Sequence, residues 1–469
     1  MLTQFTVAAR LDRLPIAKTH RLVIATLAVV FLFEFGDLNT FAYVAPALQQ
    51  AYGFTVGTIA VVTSAGFLGM FFGATLGGRF SDAVGRKKAL LSATILFSAG
   101  SLLNAFAWNE ASFMAVRFIT GVGLSAMTVA ATTYVSETMP AARRGRMQSA
   151  VMAVGLLGIP IISFAARGII PISAESWRFV FVVGALAIVA IPGLVRIPES
   201  PRWLLRHGHD QKAERALQRF ESPVGDLPPL AEAPVAPVGD VTSALTTSRV
   251  RGGYRVLFRG LAGRRTLFLS VVWIFQTLGF YGFTAFVPTL LVAHGFDLVH
   301  SIGFAAMTSL GAVPGALLAW PISDRFGRKL PLVIVCIATA VSGILYGITF
   351  NAVAIVAFGF CVNVLIQTFA ALLYTYTPEL FPTEVRNSGS GFTYGMGRLV
   401  NIVGPFIVAA LFGSLGYQSV FIYIAACWLV VAVTIAIFGP RSGKVTLEDL
   451  SERREEPARG AAVVAVKTA

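Results

Sequence analysis

The sequence predicts an all-α membrane protein, twelve transmembrane helices in two six-helix bundles related by a pseudo-two-fold repeat. Three observations carry this. Of 469 residues, 56% are hydrophobic and 13% charged, whereas soluble domains carry about a quarter charged residues. Apolar runs of about 20 residues, the length that crosses a bilayer, recur along the chain. Two separate motifs repeat at one common offset.

The runs are Leu22–Leu48, Val56–Gly77, Ala89–Trp108, Ser112–Val135, Ala150–Ile170 and Phe179–Val195, then Leu267–Val292, Ser301–Ile322, Pro331–Phe350, Ala352–Tyr376, Gly389–Leu415 and Val420–Phe438. They divide the chain into an N-terminal bundle (1–205), a central cytoplasmic linker (206–265), a C-terminal bundle (266–440) and a cytoplasmic tail (441–469). The linker holds DLPPLAEAPVAPVGD, a proline-rich stretch of flexible type. The preceding DQKAERALQRF reads as a short surface helix.

The net charge of +14 would ordinarily raise nucleic acid as a partner. Its distribution argues otherwise. With the N-terminus placed inside, 33 of the 37 lysines and arginines fall in cytoplasmic segments, as the positive-inside rule requires. Both termini are therefore expected in the cytoplasm, and no nucleic-acid partner is expected. The basic N-terminal segment leads into an apolar run longer than a signal-peptide core. Cys336, Cys361 and Cys427 lie in apolar runs without metal-ligand spacing, so they read as packing residues. No metal and no cofactor is expected. The aqueous segments hold no nucleophile–base constellation, which excludes an enzyme.

The repeat is explicit. Ser81, Asp82, Gly85, Arg86 and Lys87 recur as Ser323, Asp324, Gly327, Arg328 and Lys329. Tyr134, Glu137, Pro140 and Arg144 recur as Tyr376, Glu379, Pro382 and Arg386. The offset is 242 residues throughout, so the chain is an internal duplication of a six-span unit. Parallel repeats of this kind build one large group of secondary transporters, with the substrate site between the halves.

These residues resemble the major facilitator superfamily. GRFSDAVGRKK (Gly78 to Lys88) matches that family's loop motif after the second span, and SDRFGRK its second-half copy. YVSETMPAARRG, YTPELFPTEVR and PESPRWLL match motifs of its sugar-porter and metabolite-porter branch. FYGF, YTPELFPTEVRNSGSGF and GMGRLVNIVGP resemble metabolite porters and nicotinate-type porters. FEFGDLNTFAYVAPAL, in the first span, is similar to the corresponding run of aromatic-acid/proton symporters. The resemblance implies the facilitator fold in a plasma (cytoplasmic) membrane, working as a monomer on a small molecule and protons.

Glu34 and Asp37 are the two acids deep in a span, where a charge is costly and by default functional. A spacing of three puts them on one helical face. Asp37 lies roughly 22 Å from the inner surface and Arg117 roughly 7 Å below the outer one, so their depths coincide in a core of about 30 Å. The resemblance implies the same pair for proton coupling; a static salt bridge between two helices fits the spacing as well. Arg398 lies roughly 15 Å deep with no acid in the C-terminal spans to neutralise it. It suits a substrate carboxylate through a bidentate pair, or else backbone carbonyls. Gln276, Tyr281 and Gln367 fall near mid-span, as substrate contacts or as interhelical hydrogen bonds.

At the cytoplasmic ends, Asp82, Gly85, Arg86, Glu137, Arg144 and Glu199 are expected to converge, as are Asp324, Gly327, Arg328, Glu379 and Arg386. Such clusters would gate the cytoplasmic side, or simply fix topology. The expected function is import of a small organic anion, aromatic or other carboxylate, with protons by alternating access. Sugar or polyol transport is the alternative, ahead of drug efflux or a sensor that does not transport.

Overall fold

The computed structural model describes residues 3–224, 257–381 and 386–440. Within these, the side chains of residues 5, 223, 323–326 and 387 are excluded. The proline-rich stretch of the linker and the tail lie outside the described residues, and so does the side chain of Asp324.

A short amphipathic helix, α1 (Gln4–Asp12), precedes the first crossing and was not expected from the sequence. The N-terminal bundle follows as α2 (Lys18–Tyr52), α3 (Val56–Val84), α4 (Arg86–Asn104), α5 (Glu110–Thr138), the stacked pair α6 (Ala141–Leu156) and α7 (Gly158–Ile169), and a broken sixth crossing. That crossing is α8 (Trp177–Ala185), a 3-10 stretch (Leu186–Ala190) and α9 (Ile191–Arg196). On the surface lie α10 (Pro201–Arg206) and α11 (Asp210–Glu221). The C-terminal bundle comprises α12 (Gly260–Thr284) with α13 (Val287–Ala293), and α14 (Leu298–Ser309) with α15 (Ala312–Phe326). It continues as α16 (Lys329–Ile348), α17 (Ala352–Glu379), α18 (Arg386–Leu415) and α19 (Tyr417–Phe438). Among the described residues, eleven helical stretches are long and apolar enough to cross a membrane. The twelfth crossing is α4, which is 19 residues long and opens on the cations Arg86, Lys87 and Lys88.

The two halves reuse the same packing devices 242 residues apart. A Cβ on Gly69 or Gly73 would lie 2.1 or 2.3 Å from the carbonyl oxygens of Phe118 and Val122. A Cβ on Gly311 or Gly315 would lie 2.7 or 2.3 Å from those of Phe360 and Val364. Small residues thus let α3 meet α5, and α14–α15 meet α17, backbone to backbone. Asn109 caps α5 by accepting from the Ser112 N–H at 2.8 Å, and Asn351 caps α17 by accepting from Val353 at 2.9 Å. Each satisfies an orphan donor of the first turn.

The bundles close on each other at the end away from the basic loops. There Ser163 on α7 and Ser309 on α14 share a hydrogen bond of 2.9 Å, and Arg167 donates to the Val299 carbonyl at 3.4 Å. One hydrophobic core joins that end of the N-terminal bundle, including Phe41, Ile162 and Trp177, to the C-terminal bundle through Leu290, Leu291 and Ile302. The basic end of the N-terminal bundle holds a separate core around Val23, Leu90, Tyr134 and Leu217. Apolar packing therefore fastens the halves at that end, and a smaller cluster of Leu156, Ile159 and Ala312 joins them further in.

Candidate functional site

Two polar centres stand out, one inside the N-terminal bundle and one between the bundles. In the first, Asp37 on α2 is fully buried. The Ser101 hydroxyl donates to its Oδ1, and Ser101 also lies 3.0 Å from the Phe181 carbonyl. Arg117 Nη1 stands 3.6 Å from Asp37 Oδ2, and the guanidinium sits 5.5 Å from the centre of the Phe41 ring, a cation–π arrangement. The approach is an ion pair longer than a hydrogen bond, and Asp37 Oδ2 and Arg117 Nε have no hydrogen-bond partner in the protein. The missing side chain of Gly184 on α8 makes room: a Cβ there would lie 2.6 Å from Asp37 Oδ1 and 2.8 Å from Ser101 Oγ. Ser101 and Gly184 were missed from the sequence, where they read as ordinary small residues of packed helices.

The second centre crosses the interface. Arg398 Nη1 on α18 donates to Ser125 Oγ on α5 at 3.1 Å. Thr128, one turn along α5, donates to Glu34 Oε1 at 2.9 Å. Tyr281 and Tyr374 lie within electrostatic reach of both Arg398 and Glu34. Tyr281 stands edge-on to Phe67 at 4.8 Å, and these two residues line two adjoining clefts. One is flanked by Arg117, Phe41 and Asn39, the other by Thr277, Asn401 and Pro405. Nearer the basic end, Trp273, Tyr374 and Tyr394 form an aromatic triad with centroids 4.7 to 5.4 Å apart. Tyr374 is 54% exposed, Tyr394 is half-buried and Trp273 is buried. Gln276 is buried on α12, beside Thr277, whose hydroxyl lies 3.3 Å from its Oε1. Gln367 is buried on α17 and lines neither cleft. The triad and Asn401 escaped the sequence reading because aromatic and amide side chains at helical spacing look like core.

The basic-end cluster is built around Arg86, which is 3% exposed. Its Nη2 pairs with Glu137 Oε1 at 2.8 Å and its Nη1 with Asp82 Oδ1 at 2.8 Å. Glu199 accepts the Lys87 backbone N–H at 3.0 Å, placing a carboxylate at the N-terminus of α4, where it complements the helix dipole. Ser200 donates to Glu137 at 2.5 Å and caps α10 by accepting from Trp203 N. The Trp203 indole donates to the Asp82 carbonyl at 2.7 Å. Gly85 takes φ +101°, where a Cβ would lie 2.5 Å from Glu199 Oε2; glycine alone adopts such a turn without strain. Arg144 lies beside Arg202, outside the Arg86 ion pairs. In the second half Arg328 pairs with Glu379 at 3.0 Å, Gly327 takes φ +71°, and Arg386 opens α18. Arg441 stands at the repeat position of Glu199, so the sequence does not duplicate the carboxylate that caps α4.

Two duplicated bundles facing each other over buried polar side chains define the class: a membrane transporter that works by alternating access. A family model described as sugar (and other) transporter matches residues 22–453. YyaJ of Bacillus subtilis (strain 168), named for metabolite transport, is 43% identical over 439 residues, covering 93% of this chain and 95% of that one. The niacin transporter NiaP of Acinetobacter baylyi is 29% identical, covering 94% and 99%. The xylose transporter XylE of E. coli, in a partially occluded inward-open conformation, aligns with a TM-score of 0.71 at 16% identity, covering 91% and 99%. The chain belongs to the sugar (and other) transporter family. It is a multi-pass secondary transporter of small organic molecules and not an enzyme.

Proposed function

We propose that this transporter imports a small organic anion, foremost an aromatic carboxylate, together with protons. The observation that carries the reading is Arg398. It bridges the two bundles at mid-membrane through Ser125, forms no ion pair with Glu34, and has aromatic neighbours on its own bundle. A guanidinium so placed matches a planar carboxylate, and Tyr281 or the aromatic triad offers faces and edges to a ring. That NiaP carries the name of a niacin transporter, and niacin is a pyridine carboxylate, supports the anion.

Asp37 and Arg117 are the proton-coupling pair on this reading, with Glu34 beside them. The basic face is the cytoplasmic one, both termini lie there, the membrane is the plasma membrane, and the monomer is the working unit. The clusters around Arg86 and Arg328, with Asp82, Asp324, Gly85, Gly327, Glu137, Glu379, Glu199, Arg144 and Arg386, set the balance between the outward- and inward-facing states. Substrate contacts also come from Gln276, Tyr281 and Gln367.

The test is Arg398 itself, with binding read by competition in reconstituted liposomes. Arg398→Lys keeps the charge and loses the fork, so carboxylate affinity falls without vanishing. Arg398→Gln abolishes carboxylate binding and spares a neutral amide analogue. Wild-type affinity for the acid in both variants would make the arginine structural.

A further inference from the structure

Half of the Glu34 carboxylate is used by nothing in the protein. Oε1 accepts from Thr128, while Oε2 is buried with no hydrogen-bond partner in the protein, on a residue only 5% exposed. The surroundings are specific. Arg398 is anchored on Ser125 and Glu34 on Thr128, residues three apart on α5 and so about 4.5 Å apart along its axis. A positive and a negative group thus hang from adjacent turns of one helix. They come from opposite bundles, and no ion pair forms between them. Tyr281 and Tyr374 of the C-terminal bundle lie within electrostatic range of both.

We propose that Glu34 reads a second group on the substrate. The transported acid places its carboxylate on Arg398 and a hydrogen-bond donor, a ring hydroxyl or protonated ring nitrogen, on Glu34 Oε2. This rests on the reading of Arg398 as the anion site and adds a selectivity to it. An acid with a donor gives the buried oxygen its missing partner. An acid without one seals that oxygen in a site with nothing to accept from, at a cost of about tenfold in affinity. Thr128 fixes which oxygen is left over, and Ser125 anchors the guanidinium.

The experiment is counterflow of labelled meta- or para-hydroxybenzoate in proteoliposomes, competed by unlabelled benzoate, the hydroxybenzoates and the methoxybenzoates. Methoxy groups match the hydroxyl in position and accept but do not donate. The wild type should prefer the hydroxylated acids about tenfold over both other classes. In Glu34→Met the loss should fall on the hydroxylated acids, about tenfold more than on benzoate. Glu34→Gln, nearly isosteric and safe for folding, replaces a charge-assisted bond by a neutral one and should narrow the preference. Equal affinity of the wild type for all three classes would overturn the inference while leaving the Arg398 reading intact. An equal loss for every acid in both variants would also overturn it, making Glu34 a countercharge of Arg398 or a proton carrier. If no aromatic acid exchanges at all, the Arg398 reading fails and this one with it.

Discussion

Tyr134 and Tyr376 make the same bond in the two halves of the chain. Each hydroxyl donates to the carbonyl of a proline, Pro198 at 2.6 Å and Pro440 at 2.8 Å. Both rings are fully buried. The prolines repeat at the 242-residue offset as the tyrosines do. Each bond ties the end of the fourth crossing of a bundle to the exit of its sixth. Tyr→Phe at either site removes the donor and leaves a carbonyl short of a partner, costing about 1 kcal/mol. Thermal unfolding in detergent should show a comparable drop for both variants, with transport retained. A drop in only one would mean that the duplication preserved the geometry and lost the energetics on one side.

Glu137 and Asp82 hold the same arginine from opposite exposures: the Glu137 side chain is 15% exposed, that of Asp82 67%. The Arg86–Glu137 pair lies within one bundle, so it is intact although the halves are fastened at the opposite end. Exposed ion pairs contribute little, so Asp82 can exchange its partner at lower cost than Glu137. Asp82→Asn should shift cysteine accessibility toward the cytoplasmic side. Glu137→Gln should do so as well and also lower stability, because it strands a buried cation. An unchanged labelling ratio in both variants leaves the cluster a topology signal only.

The sequence reveals the fold because bilayer crossing demands long apolar runs and the duplication states the same thing twice. It also points to Asp37, Glu34, Arg117 and Arg398, since a charge in hydrocarbon announces itself. It does not reveal which helices touch across the interface. Ser125 receives Arg398 and Thr128 receives Glu34, yet a hydroxyl on a transmembrane helix usually bonds its own backbone, as Thr128 also does to Leu124 at 2.9 Å. Nor does it reveal α1, whose nine residues are held by ion pairs to α11 some 200 positions away. Tyr374 looks like core until its exposure is seen.

Gly184 gives a steric prediction. Gly184→Ala would drive its methyl against Asp37 Oδ1 and Ser101 Oγ, in a place where the broken crossing has little slack. Overpacking of this kind costs about 1–3 kcal/mol. Proton-driven uptake should fall by an order of magnitude or more, while Gly145→Ala, which has open space around it, should be neutral. Uptake by Gly184→Ala equal to wild type would show that the sixth crossing yields easily.

The N-terminal helix predicts an acid-sensitive contact. Arg10 pairs with Glu214 at 2.8 Å and with Glu221 at 2.6 Å, and Arg13 pairs with Glu221 at 3.0 Å. Burial works to raise the Glu221 carboxyl, but the bonds from Arg10 and Arg13 outweigh it and hold the group below its ordinary value. The Arg10 bond does the same for Glu214. A depressed carboxyl stabilises fully above the undocked value of about 4.3. That contribution is lost as pH falls through the docked value. The protection of Gln4–Asp12 against hydrogen exchange, relative to the intrinsic rate at each pH, should be high at neutral pH and fall as the medium is acidified below that range. Arg10→Ala should make it low at every pH. Exchange indifferent to both would mean that the helix is held by Val7 and Leu11 alone.

Asp37 carries the strongest prediction for coupling. Its carboxylate is fully buried, with one oxygen on Ser101 and the other facing Arg117 at 3.6 Å. A buried charge is tolerated while its partner is near and becomes costly once the partner leaves. If helix movement or an arriving substrate anion draws Arg117 away, the stranded carboxylate takes up a proton, and the return of Arg117 expels it. Asp37→Asn fixes the neutral form. It should lose uphill accumulation driven by a pH gradient, yet retain exchange across an equilibrated membrane, since alternation no longer waits for a proton. Arg117→Ala should blunt the pH dependence of transport, because the countercharge that drives release is gone. Uptake into vesicles with and without an imposed gradient, measured beside counterflow, separates these outcomes. Gradient-driven accumulation by Asp37→Asn equal to wild type would move the coupling role to Glu34, where the same pair of assays on Glu34→Gln would locate it.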